Sequence, residues 1–293
     1  VHLVLHLGAH GTDEGLIAGW IARNRSEFER QGVLAPPPRL FLRRLSEALD
    51  QQRDADPFTR EEALLRGLGA SGQRRWLALS APGLIGAPAD VITPEGFYVT
   101  DVARRLYGLR SFFPRCRITV LLAVRCASGI LPALLPDDPE AAPARLPMLR
   151  GETLPWAQLI AAIRRHLPQA RVVVWRHEDL PQVWPAILAH LAGPERILPA
   201  AGLLDFAALD LSAEARLRLR RYLTQTPPGT AGQLRRTAQV FAERYGTAPL
   251  PVPRADLPDW ALSAMQRFDR GYATEWADIC GTEGVDTLQP QGG

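Results

Sequence analysis

The sequence predicts an α/β fold, a parallel sheet of about four to five strands flanked by helices, and two observations carry that prediction. Four short apolar runs, "HLVLHL" (His2 to Leu7), "WLALS" (Trp76 to Ser80), "ITVLLAV" (Ile118 to Val124) and "RVVVW" (Arg171 to Trp175), mostly lack strict alternation, as strands covered on both faces do. The segments between them are long and repeat apolar residues three and four apart, the spacing of a helix with one buried face. Strands joined by crossovers of that length run parallel with right-handed connections.

The first run enters "GAHGTDEG" (Gly8 to Gly15) and then a helix over Leu16 to Gln31, which "APPPR" (Ala35 to Arg39) stops because consecutive prolines cannot continue it. Helical spacing resumes over Leu40 to Gln52, Val99 to Leu109 and Trp156 to His166, each ahead of the next apolar run. From residue 181 the pattern is all helical, over Trp184 to Leu191, Ala213 to Leu223, Gly232 to Tyr245 and Trp260 to Trp276, and these helices are expected to cover the sheet and its edge. Between Pro132 and Pro155 lie six prolines in 24 residues, which reads as an irregular loop, either a lid or disordered. Residues 1–280 read as one domain, and Gly281 to Gly293 as a flexible tail.

At 293 residues, 46% hydrophobic and 22% charged, the composition is that of a globular protein, and no apolar run nears the ~20 residues of a membrane span. The first run starts with no leader pattern, and Cys116, Cys126 and Cys280 are odd in number with no metal or disulfide spacing. A reduced, cytoplasmic setting is expected. Net charge is +3, and all 34 basic residues are arginine. Any anion must therefore be held by Arg, a backbone N–H or a helix N-terminus. The arginines fall in scattered pairs such as Arg43-Arg44 and Arg104-Arg105, which argues against a nucleic-acid partner.

In parallel sheets ligands bind beyond the carboxyl ends of the strands, here Gly8 to Gly15, Ser80 to Gly86, Arg125 to Ile130 and Arg176 to Leu180. The first stretch has the setting of a phosphate loop but not its residues, since the pattern would need glycine at Asp13 and lysine at Glu14. A phosphate ~4 Å from one of these carboxylates meets a repulsion of about 4 kcal/mol at an effective dielectric near 20, more than the roughly 0.3–1 kcal/mol a helix dipole supplies. His10 on the loop and His177 beyond the fourth run are candidate bases, while His2 and His6 share a strand face and read as packing residues. Glu178 and Asp179 read as caps ahead of Leu180-Pro181. A metal on His10, Asp13 and Glu14 is a further alternative.

"HLGAHGT" resembles the opening of the bacterial sulfotransferases, whose first strand and loop run "H-x-G-x-H-K-T-G-T-T", with Leu5, His6, Leu7, Gly8, Ala9, His10 and Thr12 in matching places. "ITVLLAVR" resembles that family's third core strand, "VVVWRHEDL" its fourth and "WLALSAPGL" its second, so the likeness spans about residues 2–180. The resemblance implies a P-loop-like fold that transfers a sulfuryl group from PAPS to a hydroxyl of a carbohydrate or small metabolite. It places the donor on Gly8, Ala9, His10, Gly11, Thr12, Arg125 and Ser128, with Arg125 on the 3′-phosphate, and expects no metal. Gly11 stands where the family has lysine, Pro82 where it can offer glutamate, and Ala133 where a phosphate-binding serine falls. Two readings stay open: a transferase, and a non-catalytic binding or scaffold protein on the same fold.

Overall fold

The computed structural model describes residues 1–51, 54–70, 75–93, 96–98, 102–134, 154–248 and 259–290. The elements in chain order are β1 (His2–His6), α1 (Leu16–Arg23), α2 (Arg25–Arg30), β2 (Val33–Leu34), α3 (Pro38–Gln51), α4 (Pro57–Gly67), β3 (Trp76–Ser80), β4 (Ile92–Thr93), β5 (Gly96–Phe97), α5 (Val102–Phe112) and β6 (Arg117–Val124). They continue with α6 (Ala127–Leu134), α7 (Trp156–His166), β7 (Arg171–Arg176), α8 (Leu180–Ala192), α9 (Leu203–Ala207), α10 (Ala213–Gln225), α11 (Ala231–Tyr245), α12 (Asp259–Cys280) and β8 (Val285–Leu288).

Six strands form one sheet in the order β2-β3-β1-β6-β7-β8, with every pairing parallel, while β4 and β5 form a separate antiparallel hairpin. The α/β class thus stands, with more strands than the sequence suggested. Both additions have a physical reason for being missed: β2 is two residues long, and β8 ("VDTL") lies where Gly and Gln dominate the composition. The stretch read as a tail pairs with β7 through Val172↔Val285 and Trp175↔Leu288, so the part after residue 181 is helices closed by a strand rather than all helical. The first helix is also split. Asn24 bonds through Nδ2 to the Trp20 and Ala201 carbonyls, drawing a helix carbonyl away from its ladder and separating α1 from α2. The proline-rich stretch begins within α6, which carries Pro132; residues 135–153 lie outside the described residues, as do 99–101 of the helix expected from Val99.

Each face of the sheet has its own apolar core. Leu3, Leu5 and Leu7 pack with Val120, Leu122 and Val124 under α3 to α7 and α12. Val4, Ala78, Leu121, Ala123 and Val173 pack under α1, α2 and α8 to α11. The chain leaves β1 toward one face, into α1, and leaves β6 toward the other, into α6, so the order of connections reverses between their carboxyl ends. This is the switch point at which parallel sheets bind ligands.

Candidate functional site

The loop after β1 is built on positive backbone angles: φ is +49° at Gly8, +69° at Gly11, +36° at Asp13, +46° at Glu14 and +79° at Gly15. At Gly11 only glycine fits, because a Cβ there would sit 2.7 Å from the Ala133 Cβ of α6. The lysine of the resemblance has no room at that position.

The loop folds inward on its own groups. Thr12 is buried and donates from Oγ1 to the Ala9 carbonyl at 2.6 Å. Asp13 is buried too, and its Oδ2 accepts the Ile17 N–H at 2.9 Å, so it caps α1 where an anion would otherwise sit. Glu14 faces solvent. Arg125 is buried and donates from Nη1 to the Gly11 carbonyl, and it lies over Gly129, where a Cβ would fall 2.3 Å from its Nε. That bond ties one N–H of the guanidinium to the loop's own backbone.

His177 is brought to this cluster from the far side. Its Nδ1 accepts the Asp13 N–H at 3.3 Å, which requires the neutral ring. Burial, and then the charge of Arg125, push its pKa down to about 4, against the opposite pull of Glu178 and Asp13. A ring whose acceptor nitrogen is already used by a backbone donor is poorly placed to take a substrate proton.

His10 sits at the other end of the loop, against the hairpin. Its N–H donates to the Tyr98 hydroxyl at 3.0 Å, and its Nδ1 lies 2.9 Å from the same hydroxyl. Burial lowers its pKa and raises that of Tyr98. Beneath Gly8, His6 bonds through Nδ1 to Ser80 Oγ at 2.9 Å and stacks on Trp175, which is the packing role its strand face predicts.

Ser128 and the acids after β7 complete the picture at α6. Cys126 N–H donates to Glu178 Oε1 at 3.0 Å, and Ser128 N–H to Asp269 Oδ1 at 3.2 Å. Ser128 Oγ lies 3.4 Å from Cys126 Sγ. Tyr272 of α12 fixes Glu178 through a hydroxyl donation to Oε2 at 3.0 Å, and Glu275 of α12 accepts the Ala157 N–H of α7 at 2.8 Å. Asp179 instead pairs with Arg176 through two bonds of 2.7 and 3.0 Å. Three helices at this edge, α1, α6 and α7, therefore begin on carboxylates of the chain itself.

The structure brings Gly8, Ala9, Gly11, Thr12, Arg125, His177 and Ser128 to one edge, and it turns the His10 ring to Tyr98 on the hairpin side. Tyr98, Asp269, Tyr272 and Glu275 belong to the arrangement but were not singled out from the sequence. The three on α12 have a signal: they flank an apolar stripe of Met265, Phe268, Trp276 and Ile279 on one helix face. The metal alternative finds no support in the geometry, since among the described residues no three His, Cys, Asp or Glu side chains converge. No family model, curated protein or solved structure matches this chain.

Proposed function

We propose that this chain is a non-catalytic binding or scaffold protein on a sulfotransferase-like α/β fold, whose donor loop stabilises the fold instead of holding PAPS. The observation that carries the reading is the Asp13 carboxylate on the α1 N-terminus, buried and bonded to the Ile17 N–H. A donor phosphate needs that position, and a carboxylate ~4 Å away opposes it by about 4 kcal/mol at an effective dielectric near 20. Arg125 donates one N–H to the Gly11 carbonyl and His177 accepts the Asp13 N–H, so the two groups best suited to an anion and a proton are both bonded into the loop. The residues present do not fit the donor.

A second reading, a PAPS-dependent transferase acting on a carbohydrate or small metabolite, draws support from the convergence of the loop, Arg125 and His177 at the switch point. It requires Asp13 and Arg125 to exchange partners when donor arrives. Calorimetric titration of the protein with PAPS and with its product PAP separates the two. No saturable heat at millimolar nucleotide is expected; saturable binding, or transfer of radiolabelled sulfate to a hydroxyl acceptor, overturns the non-catalytic reading.

A further inference from the structure

The opposite, amino-terminal edge of the sheet has a different character. A crevice of about 550 Å³ lies between β1, β3, β6, β7 and α8, lined by His2, Trp76, Arg117, Thr119, Arg171 and His190 among others. Strand register gathers them. Trp76 and Arg117 flank His2, Arg171 is the partner of Thr119, and paired residues in a parallel sheet point to the same face. The covering helix presents only Ala186 and Ala189 near His190, which leaves the space open.

The walls are fixed. Trp76 donates from Nε1 to the Leu191 carbonyl at 2.8 Å and packs against His2, 4.2 Å away by ring centroids, and the Arg196 guanidinium, 5.3 Å from its ring. His2 Nε2 lies 2.8 Å from Thr119 Oγ1. The charged and titratable groups facing the crevice are His2 of β1, Arg117 of β6, Arg171 of β7 with its partner Asp286 of β8, and His190 of α8, with Arg196 over the Trp76 ring. Among the described residues Arg117 makes no ion pair, and the one carboxylate, Asp286, is engaged on Arg171 Nε. Burial lowers the pKa of both histidines; Arg117 and Arg171 lower that of His2 further, and Arg171 that of His190, against a raising pull from Asp286.

We propose that this crevice is a binding site for the phosphate or sulfate monoester of a small organic molecule. Two guanidinium forks match tetrahedral oxyanions, the Thr119 hydroxyl adds a bond, and the neutral histidines can take up protons as the anion enters. The volume exceeds a bare ion and falls within the roughly 300–1,000 Å³ of small-molecule sites, which is why an ester is assigned. This site is independent of the donor loop and of its proposed role.

The test follows the imidazole resonances of histidine-labelled protein by NMR while sodium sulfate is added against sodium chloride at matched ionic strength. His2 and His190 are expected to shift saturably and to titrate at higher pH when sulfate is bound, so sulfate binds more tightly at pH 6 than at pH 8. Arg117→Gln is expected to weaken sulfate about fivefold, with melting curves confirming that the exposed substitution leaves the fold intact. Inorganic phosphate, inorganic sulfate and glucose 6-phosphate are then compared. Tighter binding of the sugar phosphate supports the ester, and equal binding of all three overturns it. Shifts that grow linearly and match chloride, or an unchanged affinity in Arg117→Gln, overturn the site. Movement of His10 or His177 instead reports the donor loop and bears on the proposed function alone.

Discussion

The two edges of the sheet treat negative charge in opposite ways. At the carboxyl edge, where helix N-termini and glycine turns usually collect anions, Asp13, Glu178, Asp269 and Glu275 already accept the N–H groups on offer. At the amino edge, among the described residues, no helix begins over the crevice, yet two arginines and two histidines converge with a single carboxylate among them. A helix N-terminus attracts an anion only while it lacks one of its own. Fold geometry places the opportunity, and side-chain identity decides whether it is open.

The largest effect is expected at the carboxyl edge. In Gly11→Ala the new Cβ meets a φ of +69° and the Ala133 Cβ at 2.7 Å. Left-handed strain and overpacking together cost about 3 kcal/mol, a fall in melting temperature of roughly 5 °C for a chain of this size. Ala133→Gly in the same background is expected to restore the packing share and leave the backbone share. Calorimetric melts of the three proteins separate the two. A silent Gly11→Ala breaks the picture of a loop locked against α6.

How much of this was legible in the sequence follows from range. The four apolar runs became strands because a strand buried on both faces needs only a local string of apolar residues. The loop's frame was legible for the same reason, since Gly8, Gly11 and Gly15 mark turns by themselves. What Asp13 does was not, because the same carboxylate repels a phosphate or caps a helix depending on where it points. Tyr98 reaches His10 across 88 residues and Asp269 reaches Ser128 across 141, and no spacing encodes contacts that distant. At the amino edge His2 read as a packing residue, and Arg117 and Arg171 carried no signal until strand register set them beside it.

Acid is expected to act next most strongly. His177 has a folded pKa of about 4, below its unfolded value, so the unfolded chain binds the extra proton first. Stability is therefore full above an unfolded pKa of ~6.5 and is lost as pH falls, by about 2 kcal/mol between roughly pH 7.5 and pH 5. His6 and His10, also lowered by burial, add in the same direction. His177→Asn keeps an acceptor for the Asp13 N–H without titrating, and thermal melts at the two pH values are expected to show a smaller acid loss in that variant. Sulfate sharpens the comparison, because it offsets the share of the loss due to His2 and His190 and leaves the His177 share in place. An acid loss unchanged in His177→Asn assigns the effect to the other histidines.

The smallest effects come from making one substitution at both edges, Asp13→Asn and Asp286→Asn. Asp13 is buried on a helix N-terminus, and weakening that cap costs about 1 kcal/mol. Asp286 and Arg171 are 51% and 57% exposed, so their pair contributes roughly 0–0.5 kcal/mol and its loss barely moves the melt. Sulfate binding reverses that ranking. Asp286→Asn frees a guanidinium that already lines an open crevice, and sulfate affinity read at His2 and His190 is expected to rise about threefold. Asp13→Asn removes a charge but leaves the amide able to accept the Ile17 N–H, and Arg125 still bonded to the Gly11 carbonyl, so His177 is expected to stay silent. A sulfate response at His177 in that variant means charge alone kept the carboxyl edge closed; silence means the loop's own hydrogen bonds close it as well.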